Sequence, residues 1–189
     1  MDSPTDGEQG FVALDGETVW QGRRVAMDRR RFRDPAGVEF DREYMVHPGA
    51  VGVIAVDDDG VVTLVRQFRG PMGTTVLEMP AGTCDVDGES AEETARRELA
   101  EEVGLVASHL ELLAALPVSP GVTNQVTRVF LATGLTRCHT HREGPEERSM
   151  TVERVALDDL VDMAAGGELI DAPTVAAVAL ARHALGTRG

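Results

Sequence analysis

Arg97-Glu98-Leu99-Ala100-Glu101-Glu102-Val103-Gly104-Leu105, with Glu89 eight residues before Arg97, is the stretch on which the fold of this chain turns. Ser90 to Val103 reads as an α-helix. Ser90 followed by Glu93 fits a capping box, and Ala91, Ala95, Leu99 and Ala100 are good helix formers. Gly104 stands where a left-handed residue ends a helix. On such a helix Glu98 and Glu102 share one face, with Glu101 at its edge, and like charges at that spacing repel. A hard divalent cation such as Mg²⁺ removes the repulsion and takes oxygen ligands. Arg97 lies among carboxylates, with Glu93 and Glu101 one turn away on either side and Glu89 near in sequence. This predicts that it ties the preceding loop to the helix through paired hydrogen bonds. A chain with 32 acidic residues also builds solvated, Glu-rich helix faces. The Glu98/Glu102 pair alone fits that plainer reading; the whole pattern of spaced Glu, Arg and Gly does not.

That pattern, Glu89, seven residues, then Arg-Glu-apolar-x-Glu-Glu-x-Gly-apolar, resembles the signature box of the Nudix hydrolases. The resemblance implies metal-assisted hydrolysis of a diphosphate joined to another group. Six identities and two apolar positions agree. At roughly one in ten per fixed position, a chance match anywhere in the chain is on the order of 10⁻⁴. One feature departs: Gly82 lies seven residues before Glu89, where the family has six. The extra residue falls before the helix and leaves the register of Glu89, Arg97, Glu98 and Glu102 intact.

The flanks narrow the resemblance. Val65-Arg66-Gln67-Phe68-Arg69, Pro71-Met72-Gly73 and Leu77-Glu78-Met79-Pro80-Ala81-Gly82 precede the box, and Ser119-Pro120-Gly121 follows it. Together they resemble the ADP-ribose pyrophosphatase branch, from about Trp20 to about Leu185. The resemblance implies metal binding by Glu98 and Glu102, with Glu101 an additional ligand and the Ala81 carbonyl a backbone ligand. Mg²⁺ is the implied cofactor, with Mn²⁺ a substitute. Arg69 and, less securely, Arg42 match substrate-contacting arginines. Trp20, before Gly22, sits where an aromatic stacks on adenine, and Pro120 and Gly121 match the branch's substrate loop. Gly82, Glu89, Arg97 and Gly104 match the structural positions of the box. The branch takes its general base from a Glu in the loop before the last strand. Here Glu147 comes first, then Glu146, with Glu143 third and Glu101 a further candidate. Gln125, where Glu is usual, and Val122, where an aromatic or Gly is frequent, bear on substrate identity more than on reaction type.

The implied function is Mg²⁺-dependent hydrolysis of ADP-ribose, or a related nucleotide sugar, to AMP and a sugar phosphate. Its rivals are a pyrophosphatase for another nucleotide sugar such as GDP-mannose and a non-catalytic ADP-ribose sensor. The sensor reading is opposed by intact box glutamates and by the lack of a basic helix-turn-helix after Leu185.

Length and composition bound the rest. At 189 residues the chain fits one domain with a modest extension, and 42% apolar residues support a real core. A net charge of −14 disfavours nucleic acid and anionic membranes as partners. Polar residues at the start predict no signal peptide. Two cysteines, Cys84 and Cys138, suit a reducing cytoplasm, and Cys84 reads as a packing residue.

Residues 1–10 are expected to be a flexible tail, residues 11–45 an N-terminal β-rich arm and residues 46–189 the catalytic domain. Turns are expected at Asp15-Gly16 and Pro35-Gly37, and the basic cluster Arg29–Arg33 reads as a solvated strand edge rather than a phosphate site. Val51–Val56 and Val61–Gln67 form a hairpin around Asp57-Gly60. Strands are expected at 76–79, 110–116, 125–132 and 150–157, a loop at 137–149, and helices at 158–165 and 173–185, the last capped by Asp171. The fold class is α/β: a mixed sheet between helices, the Nudix α/β/α sandwich. The resemblance also implies a homodimer that exchanges its N-terminal arms.

Overall fold

The computed structural model describes residues 10–23, 25–142 and 144–186, with the backbone alone at 144–146. The expected tail therefore lies outside the described residues except for Gly10. The chain divides into two compact units, one comprising residues up to Pro48 with Ser119–Gln125, the other the remainder.

The first unit is an antiparallel sheet of β1 (Val12–Gln21), β2 (Ala26–Arg33) and β3 (Glu39–Val46), in that order. Asp34 builds the β2–β3 turn: its Oδ1 accepts from the Ala36 and Val38 amides at 2.9 and 2.8 Å. Two expectations need correcting. No turn forms at Asp15-Gly16; β1 runs through it with a bulge, and a Cβ on Gly16 would meet the Arg29 carbonyl at 2.9 Å. The basic cluster is not on a sheet edge either. It lies on the middle strand, where Arg29 pairs with Glu43 at 2.7 Å, Arg31 with Asp41 at 3.4 Å and Arg33 with Glu39 at 2.6 Å. Such exposed pairs are worth about 0–1 kcal/mol each and chiefly fix the strand register. The loop Ser119–Gln125 joins this unit because Met45 donates to the Val122 carbonyl and His47 to the Asn124 side chain, both at 2.9 Å.

The second unit is the expected α/β/α sandwich. Its strands are β4 (Ala50–Val56), β5 (Val61–Arg69), β6 (Thr74–Glu78), β7 (Ala81–Thr83), β8 (Leu105–Pro117), β9 (Val126–Arg137) and β10 (Thr151–Ala156). The main order is β10-β5-β4-β9-β8, with β6 on β5 and β7 on β4. Only β4 and β9 pair in parallel, so the sheet is mixed. The central strands bury both faces, and alternation sorts their side chains between two cores. Val51, Val53, Ala55, Phe130 and Ala132 face helix α1 (Ala91–Val103) through Ala95 and Leu99. Ile54, Val56, Val129 and Leu131 face α3 (Asp159–Gly166) and α4 (Ala172–Gly186) through Leu160, Ala177, Val178 and Ala181.

The Asp57–Gly60 hairpin turn is present, with Asp57 Oδ1 accepting from the Asp59 and Val61 amides. Strands β8 and β9 are longer than expected, because their pairing continues to Leu105 and Arg137. The segment expected to be a loop contains a short helix, α2 (Gly144–Ser149). Its Gly-Pro start reads as a turn, yet Pro is favourable in a first helical turn.

Candidate active site

The site grows from α1. Its capping box is complete: Ser90 Oγ accepts from the Glu93 amide at 3.2 Å, and the Glu93 carboxylate accepts from the Ser90 amide at 2.8 Å. That contact takes Glu93 away from Arg97. Gly104 closes the helix at φ +66°. Within these caps Arg97 is the hub. Its Nε and Nη2 donate to the two oxygens of Glu89 at 2.9 and 3.0 Å, and its Nη1 donates to Glu98 at 2.7 Å and Glu101 at 3.2 Å. Thr94 Oγ1 also donates to Glu89. These bonds hold the Glu89 carboxyl below its ordinary range. The lengthened box loop turns into the helix at Val86–Glu89, where the Glu89 amide donates to the Val86 carbonyl and Gly88 takes φ +81°. The fork between Glu89 and Arg97 is undisturbed.

Glu98 and Glu102 point from one face of α1 toward the start of β7. The Ala81 amide donates to Glu102 Oε2 at 3.0 Å. Gly82 is a glycine for a visible reason, since a Cβ there would run into the Glu98 carboxylate. The Pro80-Ala81-Gly82 turn is anchored from the other side of the sheet. The Met79 amide donates to Thr174 Oγ1 at 3.0 Å, and that hydroxyl donates to Asp171 at 2.6 Å. Asp171 is thus the expected cap of α4.

Glu102 is 4% exposed. Burial pushes its carboxyl up to about 8; Glu98 and Glu147 push the same way, while the Ala81 amide and Arg69 pull back. Burial also raises the Glu98 carboxyl, with Glu101 and Glu147 adding to it and Arg97 opposing. Glu147, on α2, is therefore within electrostatic reach of both box carboxylates. The side chain of Glu146 and the whole of Glu143 lie outside the described residues.

Two residues had no role in the sequence reading: Glu78, which holds the expected Arg69, and Arg142. Arg69 is held by Glu78 in a two-pronged ion pair, its Nε at 2.9 Å from Oε1. Glu78 is a buried charge in an otherwise apolar strand, and such a charge requires a partner. Arg142 donates to the carbonyls of Glu102 and Met150, both at 2.9 Å.

The remaining candidates lie in the first unit. Trp20 is 55% exposed on β1, and its ring folds over Gly22. Arg42 on β3 lies over the Phe40 ring at 4.5 Å and donates to its neighbour's carbonyl. Pro120 and Gly121 are exposed, and the Gln125 amide donates to Thr123 Oγ1. Cys84 packs against the α1 core, and burial raises its thiol, as suits a packing residue.

A profile of the NUDIX domain matches residues 46–178. The chain belongs to the Nudix family. It is 38% identical over 180 residues to an ADP-ribose pyrophosphatase of Mycobacterium tuberculosis, covering 95% of this chain and 86% of that protein. It is 37% identical over 162 residues to an ADP-ribose pyrophosphatase of Bacillus subtilis, covering 86% and 87%. A crystal structure of an ADP compounds hydrolase matches this Nudix protein with a TM-score of 0.82 and 26% identity over 99% of each chain. Among the described residues, no helix is long and apolar enough to cross a membrane.

Proposed function

We infer that the protein is a Nudix pyrophosphatase acting on ADP-ribose-like nucleoside-diphosphate sugars, and that it cleaves ADP-ribose itself to AMP and ribose 5-phosphate. The observation that carries this is the buried carboxylate Glu102, raised to about 8, with Glu98 beside it and Glu147 pressing on both. Buried carboxylates with raised pKa values concentrate at sites that bind a cation or move a proton.

The donor set suits a hard divalent ion: carboxylate oxygens and the backbone at Ala81, without sulfur or imidazole. Among the described residues, no three acidic, His or Cys side chains already stand in a ligating arrangement. Arg97 Nη1 sits between Glu98 and Glu101 instead. Glu98, Glu102 and Glu101 would hold Mg²⁺, or Mn²⁺ in its place, with the Ala81 carbonyl. Bound there, the ion supplies charge neutralisation of the diphosphate and a more acidic attacking water. Glu147 takes that water's proton as general base, Glu146 standing next in line. Arg69, fixed by Glu78, presents its remaining face to a phosphate. Within the first unit, Trp20 has an exposed ring able to stack on adenine, and Arg42, Pro120 and Gly121 are the further candidates for contact with substrate.

The exposed Phe11, Val19 and Val38 of the arm support its covering by a second copy in a homodimer. The free thiols of Cys84 and Cys138 suit a reducing cytoplasm.

The test is a panel of nucleotide sugars with Mg²⁺, products separated by chromatography. AMP and ribose 5-phosphate from ADP-ribose, at the highest kcat/KM of the panel, is the expected outcome. Preference for GDP-mannose would overturn the substrate, and no turnover of any member would overturn the activity.

A further inference from the structure

We propose that Arg142 is a positioning residue that sets the Glu147 carboxylate against Glu98 and Glu102. The proposal rests on the reading of Glu147 as the base. It begins at the C-terminal end of α1, whose last carbonyls have no partner within the helix. The segment after β9 supplies partners in turn. The Cys138 amide donates to the Gly104 carbonyl at 2.8 Å, and the His141 amide to the Glu101 carbonyl at 3.1 Å. Arg142 comes next, with Nε on the Glu102 carbonyl and Nη1 on the Met150 carbonyl, both at 2.9 Å.

The second of those bonds does nothing for α1. Met150 is buried and follows α2 directly, and its amide donates to the Glu147 carbonyl at 3.3 Å. One rigid, planar guanidinium thus joins the residue that carries the most buried carboxylate of the site to the far end of the segment that carries Glu147. It closes the chain from residue 142 to residue 150 across its own ends. Such a clamp has a physical purpose. Glu147 raises both Glu98 and Glu102, so it stands within electrostatic reach of both. Packing of α2 against β5 places the helix, and the guanidinium adds a fixed link at its C-terminal end. A plain helix cap would need only the Glu102 carbonyl.

The test compares Arg142→Ala, Arg142→Lys, Glu147→Gln and the Arg142→Ala/Glu147→Gln pair at saturating Mg²⁺. A misplaced catalytic group costs up to about 10²-fold. Arg142→Ala is therefore expected to lower kcat for ADP-ribose by about that factor, with KM changed less than about threefold. Adding Arg142→Ala to Glu147→Gln should cost nothing further, since the displaced group is already inert. Added methylguanidinium should restore part of kcat to Arg142→Ala and none to the pair. Lys keeps the charge but not the fork, so Arg142→Lys should fall between wild type and Ala. It carries the test if Arg142→Ala does not fold. Multiplicative losses in the pair, with Glu147→Gln slow, would overturn the positioning role and leave Glu147 as base. A fully active Glu147→Gln would overturn both. Normal kcat in Arg142→Ala, or in Arg142→Lys where Ala does not fold, would overturn the clamp alone.

Discussion

Glu102→Gln removes one charge from the site while keeping the side chain's shape and an oxygen for the Ala81 amide. In the metal-free protein burial pushes the Glu102 carboxyl up to about 8, against an ordinary value of 4.5. The native state therefore holds its proton more tightly than the unfolded chain. The stability this contributes is complete below about pH 4.5 and is lost as pH rises through about 8. At about 1.4 kcal/mol per pH unit the whole span has a ceiling of about 5 kcal/mol. Between pH 5.5 and 8.5 it amounts to about 3 kcal/mol. Gln does not titrate, so chelated wild type should lose about that much more stability over this interval than the chelated variant. Urea denaturation followed by far-UV circular dichroism measures it. Fluorescence would not serve, because the one tryptophan, Trp20, lies in the other compact unit. In wild type, Mg²⁺ should flatten the dependence, and its uptake near pH 7 should release about one proton, readable in buffers of different ionisation enthalpy. The variant should bind Mg²⁺ weakly and turn over at least about 10²-fold more slowly. Parallel pH profiles for wild type and Glu102→Gln would refute the reasoning, because burial of this carboxyl would then have no energetic consequence.

Three further outcomes are expected. Gly82→Ala puts a Cβ into the Glu98 carboxylate; the flexible side chain can swing aside, so thermal stability should hold while kcat falls at least about 10-fold, a drop of about 1.4 kcal/mol in transition-state stabilisation. Equal activity would show that Glu98 is not needed where it stands. Trp20→Ala should raise KM for ADP-ribose by the equivalent of about 1–3 kcal/mol, the range of aromatic stacking on bases, with the melting temperature unchanged. A lower melting temperature with unchanged KM would make Trp20 a packing residue. Glu147→Gln should lower kcat by about 10²–10⁴-fold and leave KM alone, and it should flatten the acid limb of the pH–rate profile. Should it stay active, Glu146→Gln becomes the variant to measure.

The box helix was readable because everything that shapes it is local. Ser90 and Glu93 cap it, Gly104 ends it, and the spacing of four puts Glu98 and Glu102 on one face. Arg97 could be read as the link to Glu89 because a guanidinium among carboxylates, none of them far along the chain, has few alternatives. Strand and helix patterns gave a mixed sheet with helices on its faces for the same reason, and the resemblance supplied the sandwich arrangement. What escaped depends on register between distant segments. Arg69 meets Glu78 only because Val65 pairs with Glu78 and Arg69 with Thr74 across β5 and β6. The pair is visible in sequence only as a charge misplaced in an apolar strand. The bulge at Gly16 replaces a turn because β2 offers β1 a continuous partner, which Asp-Gly chemistry alone does not reveal.

The base and its support lie at the far end of that scale. The box carboxylates Glu98, Glu101 and Glu102 sit on one helix, so their geometry is written in a periodicity. Glu147 sits on a separate helix of six residues, too short to show a period at all. The proposed clamp on that helix is a guanidinium bonded to two backbone carbonyls. Every residue carries a carbonyl, so the acceptors leave no mark in the sequence, and Arg142 looks like any other charged residue of a polar segment. The same feature makes the arrangement tolerant. The side chains at 102 and 150 can vary in identity without loosening the clamp, provided the carbonyls stay where the sheet and α1 place them. Substitution at Arg142 has no such latitude, because no other side chain offers the same fork of donors. On the proposed reading, the sequence constraint on the position of Glu147 is concentrated in one residue whose guanidinium bonds two backbone carbonyls.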